Sequence, residues 1–394
     1  TGCYRLSVPA GALSSEADGA NLTVEMEFTV QENAWPVAFL GPMLVLKSDH
    51  SLWYWGPPFP GDYPYIRTPR KLMDNVETAD AGYNNKFAVV KPDGRLYTWG
   101  SNYYGTLGLG HYDFTHTPTL VETADKVTAV SLDEHMLVVL QDGTLWSCGS
   151  NYGFALGYRL DGDFSGMPYS SLLKKIPGLS NIVAVSAQSG MSTALDESGV
   201  AWRWGKGSYS GFATEVSSET PRRLMADVRQ LSMEDNGYGN QVVKTDNTLW
   251  DWGYMEKPRQ VMEDVLSASV EATHNLVVKT DGSLWAWGNN EHGQLGTGTR
   301  DAVPLSQAVK VMDDVQAVQA GNDCSAAIKT DGSLWAWGSN ELGGVGNGAE
   351  EDQLTPVKIM DGYTPVPAES LTVVQPVLTL AAGARGPQRM SSYR

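Results

Sequence analysis

Ten residues, KTDGSLWAWG, stand letter for letter at 279–288 and again at 329–338. A chain that spells one stretch twice is constrained to a repeat architecture, so the period has to be read before any single element. With the second Trp of the stretch as anchor, the anchors fall at Trp55, Trp99, Cys148, Trp204, Trp252, Trp287 and Trp337, each followed by Gly. Two positions earlier stand Trp53, Tyr97, Trp146, Trp202, Trp250, Trp285 and Trp335. Six positions before the anchor stand Asp49, Asp93, Asp142, Ser198, Asp246, Asp281 and Asp331. The two aromatic columns take 12 of the 13 tryptophans and leave only Trp35, so seven units, spaced 35 to 56 residues apart, account for the composition.

One unit, 315–360, reads as four strands: VQAVQA (315–320), SAAIK (325–329), LWAWG (334–338) and TPVKIM (355–360). The Asp-Gly of KTDGSL closes a tight hairpin into LWAWG. Trp335 and Trp337 share one strand face, and Leu334 with small Ala336 takes the other. Sheets that are large on one face and small on the other suit packing between neighbouring sheets. Seven of them arranged radially give an all-β fold, a seven-bladed β-propeller of four-stranded blades, with both Trp columns buried between neighbours. Outer strands opening on Pro69, Pro118, Pro221, Pro258 and Pro356 agree, because proline in sheets is confined to edges and strand starts. Their Arg70, Lys71, Arg222, Arg223, Arg259, Lys310 and Lys358 read as charges that discourage edge-to-edge pairing.

The pattern Asp-Gly-x-Leu-Trp-x-Trp-Gly, followed by Asn-x-x-Gly-x-Leu-Gly as in Asn290, Gly293, Leu295 and Gly296, resembles the repeat of the regulator of chromosome condensation family. The resemblance spans about 33–362 and implies a seven-bladed propeller. The loop motif departs in units 1, 4 and 5, where Gly56, Gly205 and Gly253 lead into unrelated loops. The wording of the repeats is similar to bacterial, commonly secreted members, which makes an extracellular or cell-surface bacterial protein the expectation. Residues 1–32 are expected to form an N-terminal β extension, 33–362 the propeller, and 363–394 a C-terminal strand and tail. NLTVEMEFTV (21–30) and LTVVQPVLTL (371–380) are strand candidates, and either is a candidate to complete the ring.

A net charge of −17 and a pI near 4.7 repel phosphate backbones, so nucleic acid is not an expected partner. No apolar run of 18 residues is present, hence no transmembrane segment is expected. Cys3, Cys148 and Cys324 are too few for a disulfide framework; Cys148, in an anchor position, should be a buried, inert thiol, and Thr-Gly-Cys3 resembles the end of a lipoprotein cleavage motif. Phosphate-loop, nucleophile-elbow and metalloprotease motifs are missing from the sequence, so no catalytic residue is expected and the protein is read as a non-enzyme. His135 and His274 share one repeat position, which argues for a packing or hydrogen-bonding role. DGDFSG (161–166) matches half of a calcium loop, with Asp161, Asp163 and Ser165 as candidate ligands, but Leu172 stands where the bidentate Glu belongs. Calcium there is the only cofactor expected. HYDFTH (111–116) offers His111, Asp113 and His116 as a weaker zinc candidate.

Up-and-down connectivity puts the third-to-fourth loops, 56–68, 101–117, 150–173, 206–220, 254–257, 289–305 and 339–355, on one face of the ring. Together with the first-to-second loops they hold 12 of the 17 tyrosines, and by themselves 13 Asp and Glu against 5 Lys and Arg. Tyrosine offers large contact area with little entropy to lose, so such a face is built to recognise a protein, with a glycan as the other option. The expected partner-binding residues are Asp62, Tyr63, Tyr65, Tyr103, Tyr104, Tyr112, Asp113, Phe114, Tyr152, Phe154, Tyr209 and Phe212. The chain is read as a monomeric binding propeller serving adhesion or enzyme inhibition. The resemblance carries the alternative of guanine-nucleotide exchange on a small GTPase, the role of the eukaryotic namesake; an enzyme with its site in the central funnel is the other.

Overall fold

The computed structural model describes residues 2–7, 13–14, 21–22, 25–30, 34, 36–41, 43–56, 66–82, 86–160, 168–188, 190–205, 218–232, 240–252, 257–271, 273–321 and 323–362. Residues 33–363 form one compact unit. Its seven antiparallel sheets, each of four strands in chain order, are the blades of a propeller. Blade 1 uses Pro36–Gly41, Leu44–Lys47, Leu52–Gly56 and Ile66–Met73. Blade 7 uses Val315–Gly321, Cys324–Lys329, Leu334–Gly338 and Gln353–Met360. The intervening blades end on the outer strands Thr115–Leu120, Tyr169–Lys175, Ser218–Met225, Arg259–Met262 and Val309–Met312.

The Trp columns divide their labour. The anchors Trp55, Trp204, Trp252 and Trp337 are fully buried, with Trp99 and Trp287 close behind, and Cys148 is sealed in the same column. The other aromatic column is only half-buried, contrary to the expectation that both are enclosed. Those rings close a relay at the hairpins. The Trp335 indole donates to Ser333 Oγ at 2.9 Å, and that hydroxyl donates to Asp331 Oδ1 at 2.6 Å. Trp53, Trp146, Trp250 and Trp285 repeat it through Ser51, Thr144, Thr248 and Ser283. Five of the six aspartates of the column are thus explained: each of these carboxylates also caps the hairpin by accepting the backbone N–H of that Ser or Thr, and Asp93 accepts the Arg95 N–H in the same way. Blade 4, with Ser198 in this column, shifts the carboxylate to Asp196, which accepts the Trp202 indole directly at 2.9 Å.

The prolines correct the outer-strand boundaries. Pro69, Pro118, Pro221 and Pro356 lie within their strands, which begin three residues earlier. An edge strand has one side without a partner, so a proline there forfeits no ladder bond. Lys310 and Lys358 pair with Asp313 and Asp361, three residues on, at 2.6 and 2.9 Å, and Lys71 pairs likewise with Asp74. Three of the seven basic residues of the rim are therefore matched by an aspartate three residues on.

Because every blade is complete from consecutive chain, neither 21–30 nor 371–380 is needed to finish the ring. Glu25–Val30 instead pairs with Gly2–Ser7, and 371–380 lies outside the described residues. Blades 7 and 1 meet through packing: Leu44, Val45 and Trp55 share one apolar cluster with Ile328, Leu334 and Val345. Across this seam the Trp55 indole donates to the Gly344 carbonyl at 2.9 Å, and Arg67 pairs with Glu350 at 2.9 Å.

Candidate functional site: the loop face of blades 2 and 3

The Asn-x-x-Gly-x-Leu-Gly loops are locks between blades. In four of them the Asn side chain is buried, and its Oδ1 accepts the backbone N–H five residues on, at 2.9 to 3.0 Å: Asn102 to Leu107, Asn151 to Leu156, Asn290 to Leu295, Asn340 to Val345. The bend presents one carbonyl, that of the residue before Leu or Val, to the next blade's anchor. Trp204 donates to Ala155 O at 2.8 Å, Trp337 to Gln294 O at 2.8 Å, and the Cys148 thiol to Thr106 O at 3.4 Å. The last Gly must be small as well as flexible. A Cβ on Gly346 would lie 2.9 Å from Trp55 Cδ1 in a backbone with φ of 81°.

Two histidines complete these locks. His135 Nε2 lies 2.6 Å from Ser192 Oγ, and His274 Nε2 lies 2.8 Å from Ser325 Oγ. Each hydroxyl donates its proton onward, to Ala155 O and Gln294 O at 2.7 Å, so Nε2 must be the donor to it. Neither pair is a nucleophile with its base, because all four side chains are sealed from solvent. Burial holds His135 down to about 3 and His274 down to about 4, so both imidazoles stay neutral. The same cause keeps the thiols protonated: Cys324 is pushed up to about 12 and Cys148 higher still.

On this rigid frame the variable positions of blade 2 point outward. Tyr103 is 79% exposed, Tyr112 47% and Tyr169, from the start of blade 3's outer strand, 48%. With half-buried Tyr104 they form one row. Tyr103 meets Tyr104 edge to face at 4.9 Å, Tyr104 meets Tyr169 at 6.4 Å, and Tyr169 meets Tyr112 edge to face at 5.2 Å. Among the described residues, none of the four hydroxyls has a hydrogen-bond partner. Burial, with Glu134 nearby, raises the Tyr104 phenol above its usual range and keeps it a donor. The Asp113 side chain is 94% exposed beside this row, 4.0 Å from His111 Nδ1. Phe114 packs on His116 at 4.5 Å.

The loop of blade 3 supplies Tyr152 and Phe154 on a short 3-10 turn, both exposed. Phe154 stands where the other loops carry Gly105, Gly293 and Gly343, and takes the same left-handed conformation, with φ of 71°. For a residue with a Cβ this costs on the order of 1–2 kcal/mol. Strain held by an exposed aromatic is a mark of a working surface.

Of the expected site residues, the structure therefore gathers Tyr103, Tyr104 and Tyr112 with Asp113 alongside. Among the described residues no ring contact joins Tyr152, Phe154 or Phe114 to the tyrosine row. Asp62, Tyr63, Tyr65, Tyr209 and Phe212, and the calcium candidates Asp161, Asp163 and Ser165, lie outside the described residues. No three His, Cys, Asp or Glu side chains among the described residues are placed to hold a metal, and His111 Nδ1 accepts the Asp113 N–H. Tyr169, the centre of the row, was not among the expected binding residues. It belongs to a strand of blade 3, paired with Ser150, and its ring contacts with Tyr104 and Tyr112 show that it meets the loop of blade 2.

An edge-to-face tyrosine surface on a locked ring defines a propeller consistent with protein binding. Comparison with known proteins places it further. The model of the regulator of chromosome condensation (RCC1) repeat matches residues 93–138, 281–328 and 331–385, and a second model of that repeat matches 315–343. The chain carries RCC1 repeats, and its seven-bladed propeller is of that repeat family. A search of curated protein sequences found no match. Among solved structures, human WBSCR16 is similar with a TM-score of 0.66 at 20% identity, over 83% of this chain and 93% of that one. Yeast RCC1 (Prp20), bound to Kap60, gives 0.65 at 18% identity over 78% of this chain and 83% of that one. Prp20p of Saccharomyces cerevisiae, described with its binding to Gsp1p and histones, gives 0.65 at 18% identity, over 83% and 88%. At such identities the likeness is one of fold.

Proposed function

We propose that this chain is a non-enzymatic binding propeller whose acidic, tyrosine-rich loop face, on blades 1 to 4, docks a protein partner bearing a basic patch. The observation that carries the reading is the row of four contacting tyrosines with uncommitted hydroxyls beside Asp113. Large rings with polar tips on a rigid frame are what binding hot spots are made of. The partners named for the structural neighbours (Kap60, Gsp1p and histones) are proteins, which supports the same class of ligand. The wording of the repeats supports a bacterial protein working outside the cell or at its surface, in adhesion or enzyme inhibition.

The test compares faces with one partner. Tyr104→Ala should cost about 2 kcal/mol of affinity. Asp113→Lys should mainly slow association and weaken its salt dependence. Asp93→Lys, on the opposite hairpin face, should leave binding intact once its melt shows that it folds. If that variant abolishes binding while Tyr104→Ala does not, the reading has the wrong face. Accelerated nucleotide release from a small GTPase would replace it with an exchange function.

A further inference from the structure

We infer that the tyrosine row between blades 2 and 3 receives an extended, proline-rich segment carrying arginine, a narrower claim that rests on the loop face being a protein-docking surface. Three observations carry it. The first is the shape of the row. Two of its three ring contacts are near perpendicular, at 89° and 78°, so successive rings turn edge against face and the row is ribbed rather than one flat platform. Notched aromatic ribs fit the ridged polyproline II helix, which enters a groove without paying to become ordered. Successive centroids lie 4.9, 6.4 and 5.2 Å apart, which bounds the length of the row at about five residues of that helix at ~3.1 Å each.

The second is hydrogen-bond polarity. The four phenol hydroxyls can all donate, and among the described residues none is engaged. Proline has no N–H, and a polyproline II backbone has no internal hydrogen bonds, so such a segment offers free carbonyls and asks for donors. A β-strand ligand would instead be held by a ladder of backbone bonds along an exposed strand edge, which side-chain hydroxyls do not provide.

The third is charge. Asp113 projects into solvent at one end of the row, and Glu134 lies near Tyr104. The cation of the neighbouring loop, Arg159, is already held bidentate by Glu219, at 2.5 and 2.8 Å, and does not neutralise them. Arginine suits both features, since its planar head stacks on aromatic faces and pairs with carboxylate.

The full chain would be titrated into fluorescein-labelled Pro-Pro-Arg-Pro-Pro-Arg-Pro and, separately, into Gly-Ser-Arg-Gly-Ser-Arg-Gly of equal charge, by fluorescence anisotropy. The proline peptide should bind at least tenfold more tightly. Tyr104→Ala and Tyr169→Ala should each weaken it about tenfold with unchanged melting temperatures. Tyr104→Phe, which keeps the ring and removes the donor, should weaken it about threefold. Equal binding of the two peptides, no binding of the proline peptide, or indifference to all three tyrosine variants overturns the inference. Displacement by chitohexaose, with no proline preference, would assign the row to glycan instead. The broader reading fails separately, through the intact partner: it falls if Tyr104→Ala leaves that complex unchanged, whatever the peptides do.

Discussion

The third-to-fourth loop of blade 2 runs Asn102, Tyr103, Tyr104, Gly105, Thr106, Leu107, Gly108, and that of blade 6 runs Asn290, Glu291, His292, Gly293, Gln294, Leu295, Gly296. Asn, Leu and the two glycines are common to both, and they make the same bonds: Asn Oδ1 to the N–H five residues on, and a carbonyl offered to the next blade. The positions that differ most, the two after Asn, face outward. There blade 2 places Tyr103 and Tyr104, the first two rings of the row. Blade 6 places Glu291, whose carbonyl is taken by Arg300, and His292, which pairs with Asp352 at 3.1 Å. One loop gives its free positions to the outward row of rings; the other ties them back to its own molecule. The repeat thus separates what holds the ring from what the ring presents.

That separation can be broken at its strongest point first. Trp337→Ala, which empties a fully buried anchor and removes one of the two donors to the Gln294 carbonyl, should lower stability by about 3–5 kcal/mol. A melt close to wild type would refute the idea that anchors hold neighbouring blades. Asn290→Ala should cost about 2 kcal/mol, because the buried Leu295 N–H loses its acceptor, while Glu291→Ala and Tyr103→Ala should stay within about 0.5 kcal/mol. Equal losses at all three would erase the distinction between lock and display. The buried histidines make the locks acid-sensitive. Their folded pKa values are depressed, so the unfolded chain binds the extra protons; stability is full above about 6.5 and declines as pH falls toward about 4 for His274 and about 3 for His135. Each contributes at most about 1.4 kcal/mol per pH unit in that window, and His274→Gln should flatten the acid side of the stability profile by one such increment. One effect has the opposite sign. Phe154→Gly should raise stability by about 1 kcal/mol, by relieving the left-handed backbone, and weaken partner binding. A stabilised variant with full affinity would remove Phe154 from the surface.

The anchors, the hairpin aspartates and the outer prolines were legible because packing repeats them from blade to blade, and a column of Trp or Asp is visible in the sequence itself. The propeller, its four-stranded units and the burial of Cys148 followed from those columns. The half-burial of the second aromatic column was not legible, since period-two alternation gives a side chain's face but not how deeply that face is covered. Nor was the centrality of Tyr169: sequence places it 65 residues from Tyr104, and only the juxtaposition of blade 2's loop with blade 3's outer strand brings the rings together. Phe154 left a signal that could have been read, an aromatic where its sister loops keep glycine.

The seam between blades 7 and 1 has a consequence in time. Internal locks join residues 42 to 49 apart, as in Cys148 to Thr106 and Trp204 to Ala155, whereas Trp55 and Gly344 are separated by 289. Closing that span costs about 2 kcal/mol more in chain entropy than closing an internal one. Blades can therefore dock one after another into an open arc before the last interface is made. Such an arc ends in two mutually complementary surfaces, the indole of Trp55 on one and the Gly344 carbonyl on the other. At high concentration those ends can find their counterparts on a second molecule sooner than each other, which makes the seam the place where refolding yields interlinked dimers.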